Sequence, residues 1–498
     1  MKSKKKELFY FLRPSLFYDS NNTNEGDFEG LLKKKEYFQK FQVDNVVFPN
    51  LLKIYDVKNN TDLKKIFDSK GYLESLIDLI YFFKSKKINV GVKFDVSDLN
   101  NEYSIFLKIQ KFYNNGKNPV VNDTNDFYLV EENSLDNNLK SNFSKFEIMA
   151  KFFLNIGFNF FIFENLDILF NSKNFDNNLN LLNLYKNAIQ KINEKSYVLG
   201  EFKNFDFSNI QKVEKSKIFQ KIIIYNLSYI GIKNEKKIST NWRTHLRKIN
   251  SKNNWDFVVL SLNNDDFGWF FSRNGKENLY SENIMKGFFL FQVLIKNDFL
   301  IFSGEEIGSL RSKNINYKNN VSKNWLIKRM ELKNRNWTKK NIEDYRNFIH
   351  PTNINTVFNW NSNENAGFNS NLERKNLSFQ YKKFNLEDLE NNKSSIWNFY
   401  LMLLRLKNNE KMIDIMSNFK YNISYNIFNK NAFEINYKNK NKNIKILLNF
   451  SSKPTKIFIS KKYKVLVTTY SNKKYDENVK FLDPYESLIA IKNIEMKF

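Results

Sequence analysis

Over its first 400 residues this chain alternates short apolar runs with amphipathic stretches, and that alternation limits the available folds more than any other feature. Residues 45–49 (NVVFP), 88–95 (INVGVKFD), 158–163 (FNFFIF), 196–200 (SYVLG), 218–225, 257–262 and 299–302 are short and rich in apolar side chains. Between them, 73–86 (LESLIDLIYFFKSK) and 146–154 place apolar residues at helical spacing. Strands buried on both faces and joined by helices make a parallel sheet. The length suits a (β/α)₈ TIM barrel, in which working residues lie at the carboxyl ends of the strands.

The rhythm breaks twice. Residues 100–144 are polar and Asn-rich and lack helical periodicity, so they read as an excursion after strand three. After about residue 405 the helices are expected to stop, and 431–498 holds period-two segments: FEINY, IKILLNF, TKIFIS, KVLVTTY and SLIAIKN. This is the pattern of an antiparallel β-sandwich. The expected division is a barrel over 1–99 and 145–405, an inserted segment over 100–144, and a C-terminal β domain over 406–498.

Composition excludes several classes of function. There is no Cys, so disulfides, thiolate metal sites and cysteine nucleophiles are ruled out. His245 and His350, the only two histidines, cannot build a zinc site unaided. The N-terminal apolar run is broken by Arg13 and Pro14, a poor signal peptide, and no run approaches the length of a membrane span. The expectation is a cytoplasmic protein. The net charge of +26 favours an acidic protein partner or an anionic surface. The Lys residues are spread along the chain with no nucleic-acid-binding motif beside them, which argues against nucleic acid.

Several segments, in order, resemble one enzyme family. Residues 9–27 (FYFLRPSLFYDSNNTNEGD) are similar to an opening that runs V-Y-Q-I-Y-P-R-S-F-x-D-S-N-G-D-G-I-G-D. Tyr55-Asp56-Val57 matches Y-D-I, residues 302–308 (FSGEEIG) match Y-x-G-E-E-I-G, and 360–368 (WNSNENAGF) match W-D-x-S-x-N-A-G-F. Residues 157–164 (GFNFFIFE) resemble the nucleophile strand G-x-D-G-F-R-x-D. Together these resemble the oligo-1,6-glucosidase and α-glucosidase branch of the α-amylase superfamily, glycoside hydrolase family 13.

The resemblance implies site residues. Glu164 stands in the nucleophile slot, one methylene longer than the family's Asp. Glu201, in Gly200-Glu201, matches the general acid. Asp266 matches the last Asp of N-H-D, which grips sugar hydroxyls and supports the oxocarbenium-like transition state. Asp95 and Tyr55 match substrate-binding positions. Asp19, Asn21, Thr23, Glu25 and Asp27 resemble a calcium loop in which Thr23 has replaced a carboxylate, so any Ca²⁺ there would be weakly held.

The supporting residues depart from the pattern. Ile162 replaces the Arg that orients the nucleophile. Asp95-Val96-Ser97-Asp98-Leu99-Asn100 stands where the family has D-x-x-x-N-H, Asp265 replaces the His of N-H-D, and Trp269 replaces a following Arg. Two loops that wall the sugar pocket are short. The expectation is therefore a catalytically degenerate pseudoenzyme with a binding or structural role, compatible with a residual sugar ligand. The competing expectation is a retaining α-glucosidase acting on short α-1,4 or α-1,6 glucooligosaccharides, with Glu164 as nucleophile, Glu201 as acid/base and Asp266 as stabiliser.

Overall fold

The computed structural model describes residues 5–51, 72–97, 137–170, 175–229, 255–275, 281–312, 323–334, 336–369, 376–425, 432–470 and 478–494, with a few single residues between them. Tyr55 and most of the 100–144 excursion lie outside the described residues.

Eight parallel strands form a closed barrel in chain order: β1 (Leu8–Phe11), β2 (Asn45–Phe48), β3 (Asn89–Phe94), β4 (Phe160–Phe163), β5 (Tyr197–Phe202), β6 (Lys221–Ile224), β7 (Val258–Ser261) and β8 (Asp298–Phe302). The alternation of the sequence is thus the (β/α)₈ architecture. The chain divides into two compact units, one of residues 9–20 and 26–224, the other of residues 1–8, 21–25 and 225–498.

In the first unit, the lumen of the sheet is filled by aromatic rings. Phe160 stacks on Tyr197, its register partner, with ring centroids 5.1 Å apart, and meets Phe9 edge-on at 6.1 Å. Gly91 makes room for it: a Cβ there would fall 2.1 Å from the Phe160 ring. Outside the strands, α1 (Phe28–Lys33) packs near α2 (Tyr72–Ser85). The helix expected over 146–154 is longer than its apolar core, running as α3 from Asn137 to Ile156, and α4 (Phe175–Ile192) follows β4.

In the second unit, β7 pairs with β8, and α5 (Ser281–Leu294) is buried along almost its whole length. It packs on α6 (Ile396–Lys407), where the Phe289 and Tyr400 rings stack 3.5 Å apart. The expectation that helices end near residue 405 is corrected here. A further helix, α7, runs from Glu410 to Asn418, started by the Asn409 side chain accepting from the backbone of Lys411 and Met412. Its apolar residues Met412, Ile415 and Met416 fall three and four apart, a helical stripe that the neighbouring strand signals obscured.

The C-terminal segment forms two antiparallel sheets. One has five strands in the order β13 (Lys464–Thr468), β15 (Ser487–Lys492), β11 (Asn443–Asn449), β10 (Ala432–Lys438) and β9 (Lys420–Tyr425). The other pairs β12 (Thr455–Ile459) with β14 (Val479–Leu482). Alternate residues of both sheets, including Ala432, Leu447, Ile457, Ile459, Val479, Leu482 and Leu488, share one apolar core. That is the sandwich expected from the period-two pattern.

Candidate active site

Strand register assembles three of the expected residues. Gly91 to Phe94 pair with Phe160 to Phe163, and these pair with Tyr197 to Gly200. The next row at the carboxyl ends is Asp95, Glu164 and Glu201, and the backbone N–H of Glu164 donates to the Phe94 carbonyl at 2.9 Å. Neighbouring strands lie about 4.8 Å apart, so Glu164 and Glu201 stand side by side. Side chains alternate along a strand, and the row below these carboxylates holds Lys93, Ile162 and Leu199.

Glu201 is buried, and its Oε2 lies 2.5 Å from Lys93 Nζ, with the two side chains 4% and 3% exposed. The same ammonium sits 4.5 Å from the centre of the Phe11 ring. An opposite charge at this range favours the ionised carboxylate. Two charges removed from water together depend on each other, and removing one partner typically costs about 3–5 kcal/mol.

Glu164 is half-buried and accepts a hydrogen bond from Asn50 Nδ2 at 3.3 Å. Beneath it Ile162 is fully buried, so the position of the family's orienting Arg is an apolar contact. Asp95 is tied to its own strand end. Its Oδ1 accepts from the Ser97 backbone at 3.1 Å and the Ser97 hydroxyl at 2.5 Å, and its Oδ2 accepts from Asn165 Nδ2 at 2.9 Å. Asn165 holds a left-handed φ of 59°, one that Asn tolerates better than most residues.

Asp266 belongs to the other unit, in the turn after β7. Its N–H donates to Asn264 Oδ1 at 3.0 Å, and Asn264 Nδ2 donates to the Ser228 hydroxyl at 2.7 Å. Asp265 is exposed while Asp266 is half-buried, so the two adjacent carboxylates are not buried together. Trp269 is fully buried, its Nε1 donating to the Thr356 hydroxyl at 3.1 Å, and it serves the core.

Nearby, Glu305 of the G-E-E-I-G segment is fully buried and has no cationic partner among the described residues. Burial, outweighing the bond from Asn263 Nδ2 at 2.6 Å and reinforced by the charge of Glu306, pushes its pKa up to about 8.

The calcium-like loop is used internally. Asp27 caps α1, accepting from Gly30 N at 2.6 Å and from the Ser20 N–H and hydroxyl at 2.9 and 2.8 Å. Asn21 Oδ1 accepts from Thr23 N at 3.2 Å, and the Thr23 hydroxyl donates to the Glu25 carbonyl at 3.4 Å. Asp19 is buried. Among the described residues, no three His, Cys, Asp or Glu side chains group so as to hold a metal ion.

Sequence reasoning missed Lys93. The available signal was a lysine at an inward-facing position of an otherwise apolar strand, NVGVKF.

The family description for the alpha amylase catalytic domain matches residues 164–415, just over half of the chain. The chain belongs to the α-amylase family. No curated protein sequence matches it. Among solved structures, the family fold recurs in a trehalose-6-phosphate hydrolase of Bacillus licheniformis, 17% identical with a TM-score of 0.73, covering 98% of this chain and 99% of that one. An isomaltulose synthase from Klebsiella sp. LX3 is 15% identical with a TM-score of 0.74, covering 99% of each chain. At such identities the likeness bears on the fold alone. Among the described residues, no helix is long and apolar enough to cross a membrane.

Proposed function

We propose that this chain is a non-hydrolytic member of the α-amylase family with a binding or structural role. The observation that carries this reading is the Lys93–Glu201 pair, with its 2.5 Å contact and near-complete burial. A retaining glycosidase needs its acid/base carboxyl protonated and within reach of the leaving oxygen. Here the carboxylate in that slot faces a buried ammonium, which favours its ionised form. The position of the family's orienting Arg is Ile162, so no guanidinium at that position orients Glu164.

The net charge of +26 directs the role toward an acidic protein partner or an anionic surface, in a cytoplasmic setting, and a residual sugar ligand remains compatible with the carboxylate row. No cofactor is required, and calcium at the 19–27 loop would be held weakly, because Asp27 is committed to its helix cap.

A second reading has its own support: paired strands bring Glu164 and Glu201 side by side, as a retaining α-glucosidase acting on short α-1,4 or α-1,6 glucooligosaccharides would need. Assays with p-nitrophenyl α-glucoside, maltose and isomaltose separate the two. The non-hydrolytic reading expects turnover at least about 10³-fold below the ~10 s⁻¹ of a typical enzyme. Turnover near ~1 s⁻¹ that disappears in Glu201→Gln would establish the glucosidase instead.

A further inference from the structure

The C-terminal unit contains a cleft of about 760 Å³ between α7 and the ends of β11, β13 and β15, outside the barrel strands. Its floor is apolar: Ile415 and Phe419 from the end of α7, and Ile491 from β15, all buried. Glu410 and Asp414, one helical turn apart on α7, line one side and are exposed. Lys442, just before β11, and Lys462 and Lys464, from the connection into β13, line another. Lys442 comes from one turn of the sheet and Lys462 and Lys464 from another, and the three make no ion pair among the described residues.

A cleft of this size suits a small molecule. Three lysines lining one cleft without an ion pair among the described residues favour a phosphoryl group, for which Lys acts as a point charge. A polyanion such as a nucleic acid would meet repulsion from Glu410 and Asp414. Those carboxylates act as acceptors, and they suit a ligand that offers hydroxyl donors. The apolar floor suits the C–H face of a ring. One ligand class satisfies all three surfaces.

We propose that this cleft binds a phosphorylated saccharide, with the phosphoryl group on Lys442, Lys462 and Lys464 and the ring hydroxyls on Glu410 and Asp414. The proposal does not rest on the barrel chemistry and stands whether or not the barrel hydrolyses anything. The test is calorimetric titration of the full chain at low salt with glucose 6-phosphate, glucose and inorganic phosphate. Glucose 6-phosphate should bind at least about tenfold more tightly than either of the others. The exposed double variant Lys462→Glu/Lys464→Glu should weaken that binding at least about tenfold while circular dichroism shows an unchanged fold. Glu410→Gln/Asp414→Asn should weaken glucose 6-phosphate toward the affinity of phosphate. Equal affinity for phosphate and glucose 6-phosphate, no binding at millimolar ligand, or binding unchanged by the lysine reversal would each overturn the proposal.

Discussion

Two parts of this molecule bury a glutamate near the end of a barrel strand, and they do so in opposite ways. At β5, Glu201 lies against Lys93, its Oε2 2.5 Å from the ammonium and both side chains buried. After β8, Glu305 has the Asn263 amide but no cation, and burial lifts its pKa to about 8, so at neutral pH it carries a proton. A general acid needs the second condition in the place of the first. Under the proposed reading, the glutamate matched to the family's acid faces a cation, while the one whose pKa burial lifts is fully buried and matches no catalytic position. The neighbours of a buried carboxyl, more than its residue type, set its charge state.

Removing Lys93 should break this contrast most strongly. Lys93→Met removes the ammonium that faces a buried carboxylate and is expected to cost about 3–5 kcal/mol in urea unfolding, while Lys93→Met/Glu201→Gln should recover most of the loss. A single variant within about 1 kcal/mol of the parent would mean that the pair is not a coupled buried unit.

The Glu305 side is probed by pH. A carboxyl whose folded pKa lies above its unfolded value of 4.5 makes the folded state bind more protons between those values. Stability therefore falls as pH rises from about 4.5, and the loss levels off above about 8, amounting to a few kcal/mol. Glu305→Gln should flatten that slope, making the variant gain on the parent as pH rises from 5 to 9. If parent and variant show parallel stability curves over that range, Glu305 is not the buried neutral group described here.

The smallest expected effect sharpens the barrel side. Asn50→Ala removes the amide that donates to Glu164, a half-exposed contact at 3.3 Å. Its loss should cost about 1 kcal/mol or less. A larger loss in thermal unfolding would show that Glu164 is structurally tied to Asn50 and not simply poised at the rim.

The outcome for each sequence expectation depended on how local its cause was. The barrel strands were readable because each is a continuous apolar run buried on both faces, and the C-terminal strands because their apolar residues alternate with a period of two. Helix α7 was missed because it is short and sits where strand signals begin, so its stripe of Met412, Ile415 and Met416 lacked the length that makes periodicity persuasive. Segment order and motif also identified Asp95, Glu164 and Glu201 as strand-end residues, and the register sets them in one row.

What the sequence by itself determined is the architecture and the position of each carboxylate along its strand, since both follow from periodicity and from residues close in the chain. Only the tertiary structure decided what those carboxylates are paired with. Lys93 and Glu201 are separated by more than 100 residues of chain, and nothing local couples them. Registering β3, β4 and β5 in one parallel sheet brings them together across the intervening strand, and burial then makes the contact matter, because a charge shut away from water must find its opposite or give up its charge.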